Sequence, residues 1–132
     1  MTPLAFTIPK RLWLSSNRPA RNLAYRSRLV RALHQIAIDA ASEIDMEPID
    51  ERVHAIWTIH YPRGVGWQHG DASNAHPTTK ALLDGLVLGG WLRGDGPRYV
   101  RPETYDRGPN LTTPGDHRIV LELTPLETPT SW

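Results

Sequence analysis

The chain predicts an α+β fold, a small mixed sheet covered by two helices in the order β-α-β-α-β-β. Three observations carry this expectation. One stretch repeats apolar residues at helical spacing, and a second apolar stretch is bracketed by Pro77 and Gly89-Gly90. Four other short segments read as strands separated by Gly- and Pro-rich punctuation. At 132 residues the chain suits one domain, assigned to residues 1–126, with 127–132 as a loose C-terminal tail.

The elements follow in order. Leu4–Ile8 is a short apolar run closed by Pro9 and reads as the first strand. Residues 10–19 are irregular, with Ser15, Ser16 and Asn17 as turn formers. A helix is expected from about residue 22 to 41, with Leu29, Leu33, Ile36 and Ala40 on its apolar stripe and Arg21, Arg28, Arg31 and Gln35 on a polar face. The acidic stretch up to Glu51 reads as a surface connection. Residues 53–61 alternate and carry apolar side chains on both faces, so this strand is expected to be central. Pro77 suits a first helical turn, and the second helix should run from there to Leu88. Residues 99–105 and 117–123 complete the strands. Trp57 and Trp91 are assigned to the core; Leu12, Trp13 and Leu14 suit either core or a dimer contact.

Composition narrows the function. There is no cysteine, which excludes disulfides and thiolate chemistry and agrees with a reducing cytoplasm. No apolar run approaches the roughly 18 residues of a spanning helix, and no signal-peptide order opens the chain, so a soluble, cytoplasmic protein without a membrane partner is expected. Net charge is only +1, but it is unevenly spread. Residues 1–38 contain Lys10, Arg11, Arg18, Arg21, Arg26, Arg28 and Arg31 and no acid. Such a segment suits a polyanionic backbone, and equally suits a solvated helix face.

The chemistry concentrates between Asp71 and Asp95. Asp71 lies in a loop bordered by glycine, Lys80 on the first turns of the second helix, and Asp95 beyond the double glycine that ends it. Two carboxylates and an ammonium gathered by one loop-helix-loop unit suit a divalent cation held against a phosphodiester. Asp84, four residues after Lys80, suits a partner for its ammonium. Each acid also has a plain alternative as a turn former beside glycine.

Asp71, Asn74, Lys80, Asp84-Gly85-Leu86, Gly90-Trp91-Leu92 and Asp95 stand in an order that resembles the core motif of the RusA family of Holliday junction endonucleases, common in phages and prophages. The first strand, Ser16-Asn17-Arg18 and the basic helix resemble that family's opening. The likeness spans Leu4 to about Leu123, and only its middle is specific. It implies a homodimeric nuclease that uses Mg²⁺, with Mn²⁺ as a substitute, to make paired incisions in four-way DNA junctions. By position, Asp71, Lys80 and Asp95 would be catalytic, and Asp71, Asp95 and Ser73 would face the metal. Asn17, Arg18, Arg21, Arg28, Arg31 and Asn74 would contact DNA.

Two positions depart from the family pattern. Ser73 stands where an aspartate is expected, and Gly94 where the first of two terminal aspartates is expected. Ser73 removes a full charge from the metal site. That loss suggests weaker metal affinity, recruitment of another oxygen such as Glu103, or a junction-binding protein that no longer cuts. A third reading is an interaction module whose basic helix docks on an acidic protein. Among the loop residues, Trp67 is expected to cover the edge of the core rather than to stack on a base. His69 and His76 match no zinc spacing, and His54 and His60 are expected to be packed or hydrogen-bonded.

Overall fold

The computed structural model describes residues 3–17 and 22–127. Four strands, β1 (Leu4–Ile8), β2 (Arg52–His60), β3 (Val100–Arg107) and β4 (His117–Leu126), combine with two helices, α1 (Leu23–Glu43) and α2 (His76–Leu88). The sheet order is β1-β4-β2-β3. β4 runs antiparallel to both β1 and β2, whereas β2 and β3 are parallel. A parallel pair cannot be joined by a hairpin and needs a crossover; α2 supplies it. The mixed sheet and the element order therefore match the sequence expectation, and β2 is central.

The alternation along β2 buries Val53, Ala55, Trp57 and Ile59 and leaves His54, Ile56, Thr58 and His60 half-buried. One face of the sheet and the apolar sides of both helices form a single core that includes Leu4, Phe6, Leu33, Leu82, Leu86 and Leu121. Ile56 and Val120 lie on the other, half-open face. Apolar residues on both faces of β2 thus marked a strand paired on both edges, not one covered on both faces.

Helix α1 starts where its cap dictates: the Asn22 side chain accepts from Tyr25 N at 2.8 Å. Its buried stripe is Leu29, Leu33, Ala37 and Ala41, with Ile36 and Ala40 only half-buried, slightly rotated from the expected face. Helix α2 begins one residue before Pro77, which occupies its first turn, and ends at Gly89 and Gly90, the latter at φ +86°. Trp57 is enclosed, as expected. Trp91 is only half-buried, and its indole donates to Met46 O at 2.8 Å.

Gly85 explains how closely the two helices approach. A Cβ there would stand 2.7 Å from His34 O and 2.9 Å from Ala37 Cβ of α1. Mid-helix glycine normally costs up to about 1 kcal/mol relative to alanine, so Gly85→Ala would stabilise an isolated α2. Overpacking against α1 backbone costs roughly 1–3 kcal/mol and decides the sign. Gly85→Ala should lower the urea midpoint, and a raised midpoint would show that the helices yield freely.

Candidate active site

The site is built around the approach to α2. Asp71 opens a short 3-10 turn, Ala72–Ala75, that runs directly into the helix. Ala72 and Ala75 are buried and fix this turn against the sheet, and Tyr61, just after β2, donates its hydroxyl to Asp71 O at 2.8 Å. Burial raises the Tyr61 pKa, Arg107 opposes the rise, and the neighbouring Asp71 charge adds to it. Ser73 is exposed. The sequence did not signal the 3-10 turn, because no residue in Ala-Ser-Asn-Ala demands it.

Lys80 is the centre of charge. Its Nζ donates to Asp84 Oδ1 at 2.7 Å and also contacts Asp95 Oδ2. The double glycine after α2 turns the chain back along the helix, which brings Asp95 to Lys80 as the sequence suggested. Burial works against the Lys80 ammonium, yet hydrogen bonds to both carboxylates leave its pKa raised. Asp84 has a raised pKa, through burial and then its hydrogen bond with Asp95. Asp95 has a lowered one, through the hydrogen bonds from Asp84 and Lys80. The acids therefore titrate as a pair around one ammonium. No ion pair among the described residues joins Asp71 to this triplet.

Gly94 has a local reason. A Cβ at this position would lie 2.5 Å from Tyr99 Cδ2, so the aspartate expected there has no room unless the ring moves.

Beside Lys80, Thr79 shares a hydrogen bond of 2.7 Å with the Tyr105 hydroxyl. Tyr105 in turn donates to Glu103 Oε2, which also accepts from Trp57 Nε1 at 2.9 Å. Burial pushes the Tyr105 pKa well above its usual value. Glu103 thus has one oxygen committed to the core tryptophan. Tyr105 and Thr79 escaped the sequence reading because their partnership depends on packing of α2 over β3. His54 contacts Thr104 Oγ1 at 2.7 Å and His60 contacts Pro109 O at 2.8 Å, as packed histidines should.

The glycine-rich loop 62–70 is held by Arg107. Its guanidinium donates to Val65 O at 2.8 Å, Gly66 O at 3.1 Å and Asn110 Oδ1 at 2.8 Å. It also lies 5.0 Å from the Tyr61 ring centroid and 4.8 Å from that of Trp67. Any side chain at Gly70 would meet this guanidinium, since a Cβ would stand 2.4 Å from Nη1. Trp67 corrects the sequence expectation: it is 81% exposed and does not cover the core. Its ring packs on the Arg107 cation instead.

A strap of residues 10–17 crosses the start of α2. The buried Thr78 hydroxyl accepts from Leu14 N at 2.9 Å and donates to Leu14 O at 2.7 Å, and Ser16 N donates to Asn74 O at 3.0 Å. Leu12 and Leu14 belong to the core. These bonds bring the exposed Asn17 near Asn74. Arg28 and Arg31 are exposed on α1, and no described contact ties them to Lys80. Arg18 and Arg21 lie outside the described residues, as do residues 128–132 of the expected tail.

Oxygen donors at Asp71, Ser73 and Asp95 fit a hard cation in kind, because Mg²⁺ uses one or two carboxylates and completes its shell with water and phosphate. Among the described residues no three His, Asp or Glu side chains converge to hold a metal ion by themselves. Comparison with protein-family models and with curated proteins gives no match.

Two expectations follow. Thr78→Val strands the Leu14 N–H and C=O, each costing roughly 1–3 kcal/mol when buried without a partner; stability should fall by about 2 kcal/mol and exchange of the Leu14 amide should accelerate. In carboxyl NMR titrations Asp95→Ala should lower the Asp84 pKa, and Asp84→Ala should raise that of Asp95. The signs oppose in linkage too. The Asp95 contribution to stability is present above the ordinary carboxylate range and lost as pH falls through its lowered pKa. That of Asp84 is present at low pH and lost as pH rises through its raised pKa.

Proposed function

We propose that this protein is an Mg²⁺-dependent, structure-selective endonuclease that hydrolyses phosphodiesters in four-way DNA junctions. The observation that carries the reading is the contact between Lys80 and Asp95, which draws together two of the three expected catalytic residues; Asp71 opens the turn that leads into the same helix. The resemblance to the RusA family supports it at the same positions. The homodimer, the DNA substrate and the cytoplasmic setting belong to this proposal. No helix among the described residues is long and apolar enough to cross a membrane.

In this reading Asp71 and Asp95, assisted by the Ser73 hydroxyl, would hold the cation, an oxygen donor set suited to Mg²⁺. When bound, Mg²⁺ supplies Lewis acidity toward the scissile phosphate and acidifies a water. Lys80 places its ammonium against the phosphate, where charge grows in the transition state. Asp84 would keep that ammonium paired if Asp95 served the cation. Asn17 and Asn74, joined through the strap, and the exposed Arg28 and Arg31 contact the backbone and orient the duplex arms. Two-fold symmetry in the enzyme matches that of a junction cut on paired strands.

A second reading has its own observation. Ser73 stands where the resembled family carries an aspartate, and among the described residues no group of three His, Asp or Glu converges. This favours a protein that binds junctions without cutting them.

One assay separates the two. A labelled four-way junction is incubated with the protein and Mg²⁺ or Mn²⁺ at low ionic strength, because salt weakens phosphate contacts steeply. The nuclease reading expects paired nicks, a loss of roughly 10²–10³-fold in rate for Lys80→Ala, and faster cleavage at limiting Mg²⁺ for Ser73→Asp. Binding without nicks supports the second reading. Failure to prefer the junction over linear duplex, together with no cleavage by Ser73→Asp, sinks both.

A further inference from the structure

A cavity of about 450 Å³ opens between the strap and the loop 62–70, away from the Lys80 cluster. This is large enough for a small flat ligand. Its walls are aromatic. Trp13 and His117 stack with ring centroids 3.6 Å apart and planes 5° from parallel. Tyr61 stands edge-on to both, at 5.8 Å and 5.2 Å. Exposed Lys10, Asn17 and Gln68 line its rim.

His117 is the informative member. It is only 8% exposed, and its buried Nδ1 has no hydrogen-bond partner. Burial lowers its pKa to about 4, so the ring is neutral near pH 7. Flat aromatic walls and a cation at the mouth suit one kind of ligand: a heteroaromatic ring carrying an anion.

We propose that this cavity receives an unpaired nucleobase of a DNA strand, while Lys10 at its rim takes the adjoining phosphate. The choice of DNA as the source of the base rests on the function proposed above. Position supports the assignment, because Tyr61 forms a wall of the cavity and also holds Asp71 through its hydroxyl. A base seated here therefore anchors its strand beside Asp71, one of the candidate residues. A second cavity, about 300 Å³, carries Asp45, Glu47 and Glu51 and repels a polyanion.

The test compares a short single strand with the same strand carrying one central abasic site, by fluorescence anisotropy at low salt. The intact strand should bind about tenfold more tightly, as base–aromatic stacking allows. Only the intact strand should shift the Trp13 indole N–H resonance, assigned through Trp13→Phe. Val65→Trp, which fills the cavity, should bring the ratio to one. Lys10→Ala should weaken both strands equally. Trp67→Ala should leave the ratio unchanged, since the exposed Trp67 is the rival stacking platform.

Equal affinity for the two strands overturns the proposal, as does discrimination lost in Trp67→Ala or present without a Trp13 shift. The wild-type resonance decides the matter if Val65→Trp does not fold. Junction cleavage without base discrimination removes the cavity assignment alone, whereas base discrimination without junction preference or nicking removes the nuclease reading alone.

Discussion

The parallel pairing of β2 with β3 governs how this chain uses its polar residues. Parallel neighbours oblige the polypeptide to leave the sheet at the end of β2, cross over it and return to the start of β3. The crossover here has three parts: the loop 62–70 with its 3-10 turn, helix α2, and the return through Gly89-Gly90 to Val100. Each part carries one candidate group, Asp71, Lys80 and Asp95 respectively. Ligands in sheets with parallel strands commonly bind beyond the carboxyl ends of those strands. Asp71 and the aromatic cavity lie at that end of β2. Asp95 reaches Lys80 because the return segment folds back along α2.

That arrangement sets an electrostatic constraint. Lys80 lies between two carboxylates, and the triplet Lys80, Asp84 and Asp95 has a formal charge of −1 when all three are ionised. An ammonium already neutralises the acid that a divalent cation would need. In the proposed reading, a cation held by Asp95 would compete with Lys80 for that carboxylate. Asp84 makes the competition feasible, since it holds the ammonium from the adjacent turn of the same helix. The i, i+4 pair thus does more than decorate a helix surface: it provides the lysine with a second partner.

Much of this was legible because local rules and tertiary structure agree. Asn22 caps α1, Pro77 occupies the first turn of α2, and Gly90 takes the positive φ that ends it. Alternation marked β2 as the central strand. The Asp95 contact with Lys80 was readable from the double glycine that turns the chain. What stayed hidden depends on pairings distant in sequence. Nothing near Gly85 announces that α1 backbone lies against it, and nothing near Gly94 announces the Tyr99 ring. Trp67 was misjudged for the same reason: its partner, Arg107, lies 40 positions on at the end of β3. The Trp13–His117 stack joins the strap to the first residue of β4.

The strap illustrates how a polar contact can couple fold to function. Leu14 is a core residue, yet both its backbone groups are satisfied by the single hydroxyl of Thr78. An apolar side chain at 78 would keep the volume but abandon two buried polar groups, which is the costlier error inside a core. The same clamp seats Trp13 on one side and leads to Ser16, bonded to Asn74 O, on the other. Cavity, strap and the Asp71 turn consequently share supports: Tyr61 and the first turn of α2. A strand bound across them would meet groups whose relative positions are fixed before it arrives, so less ordering entropy is lost on binding.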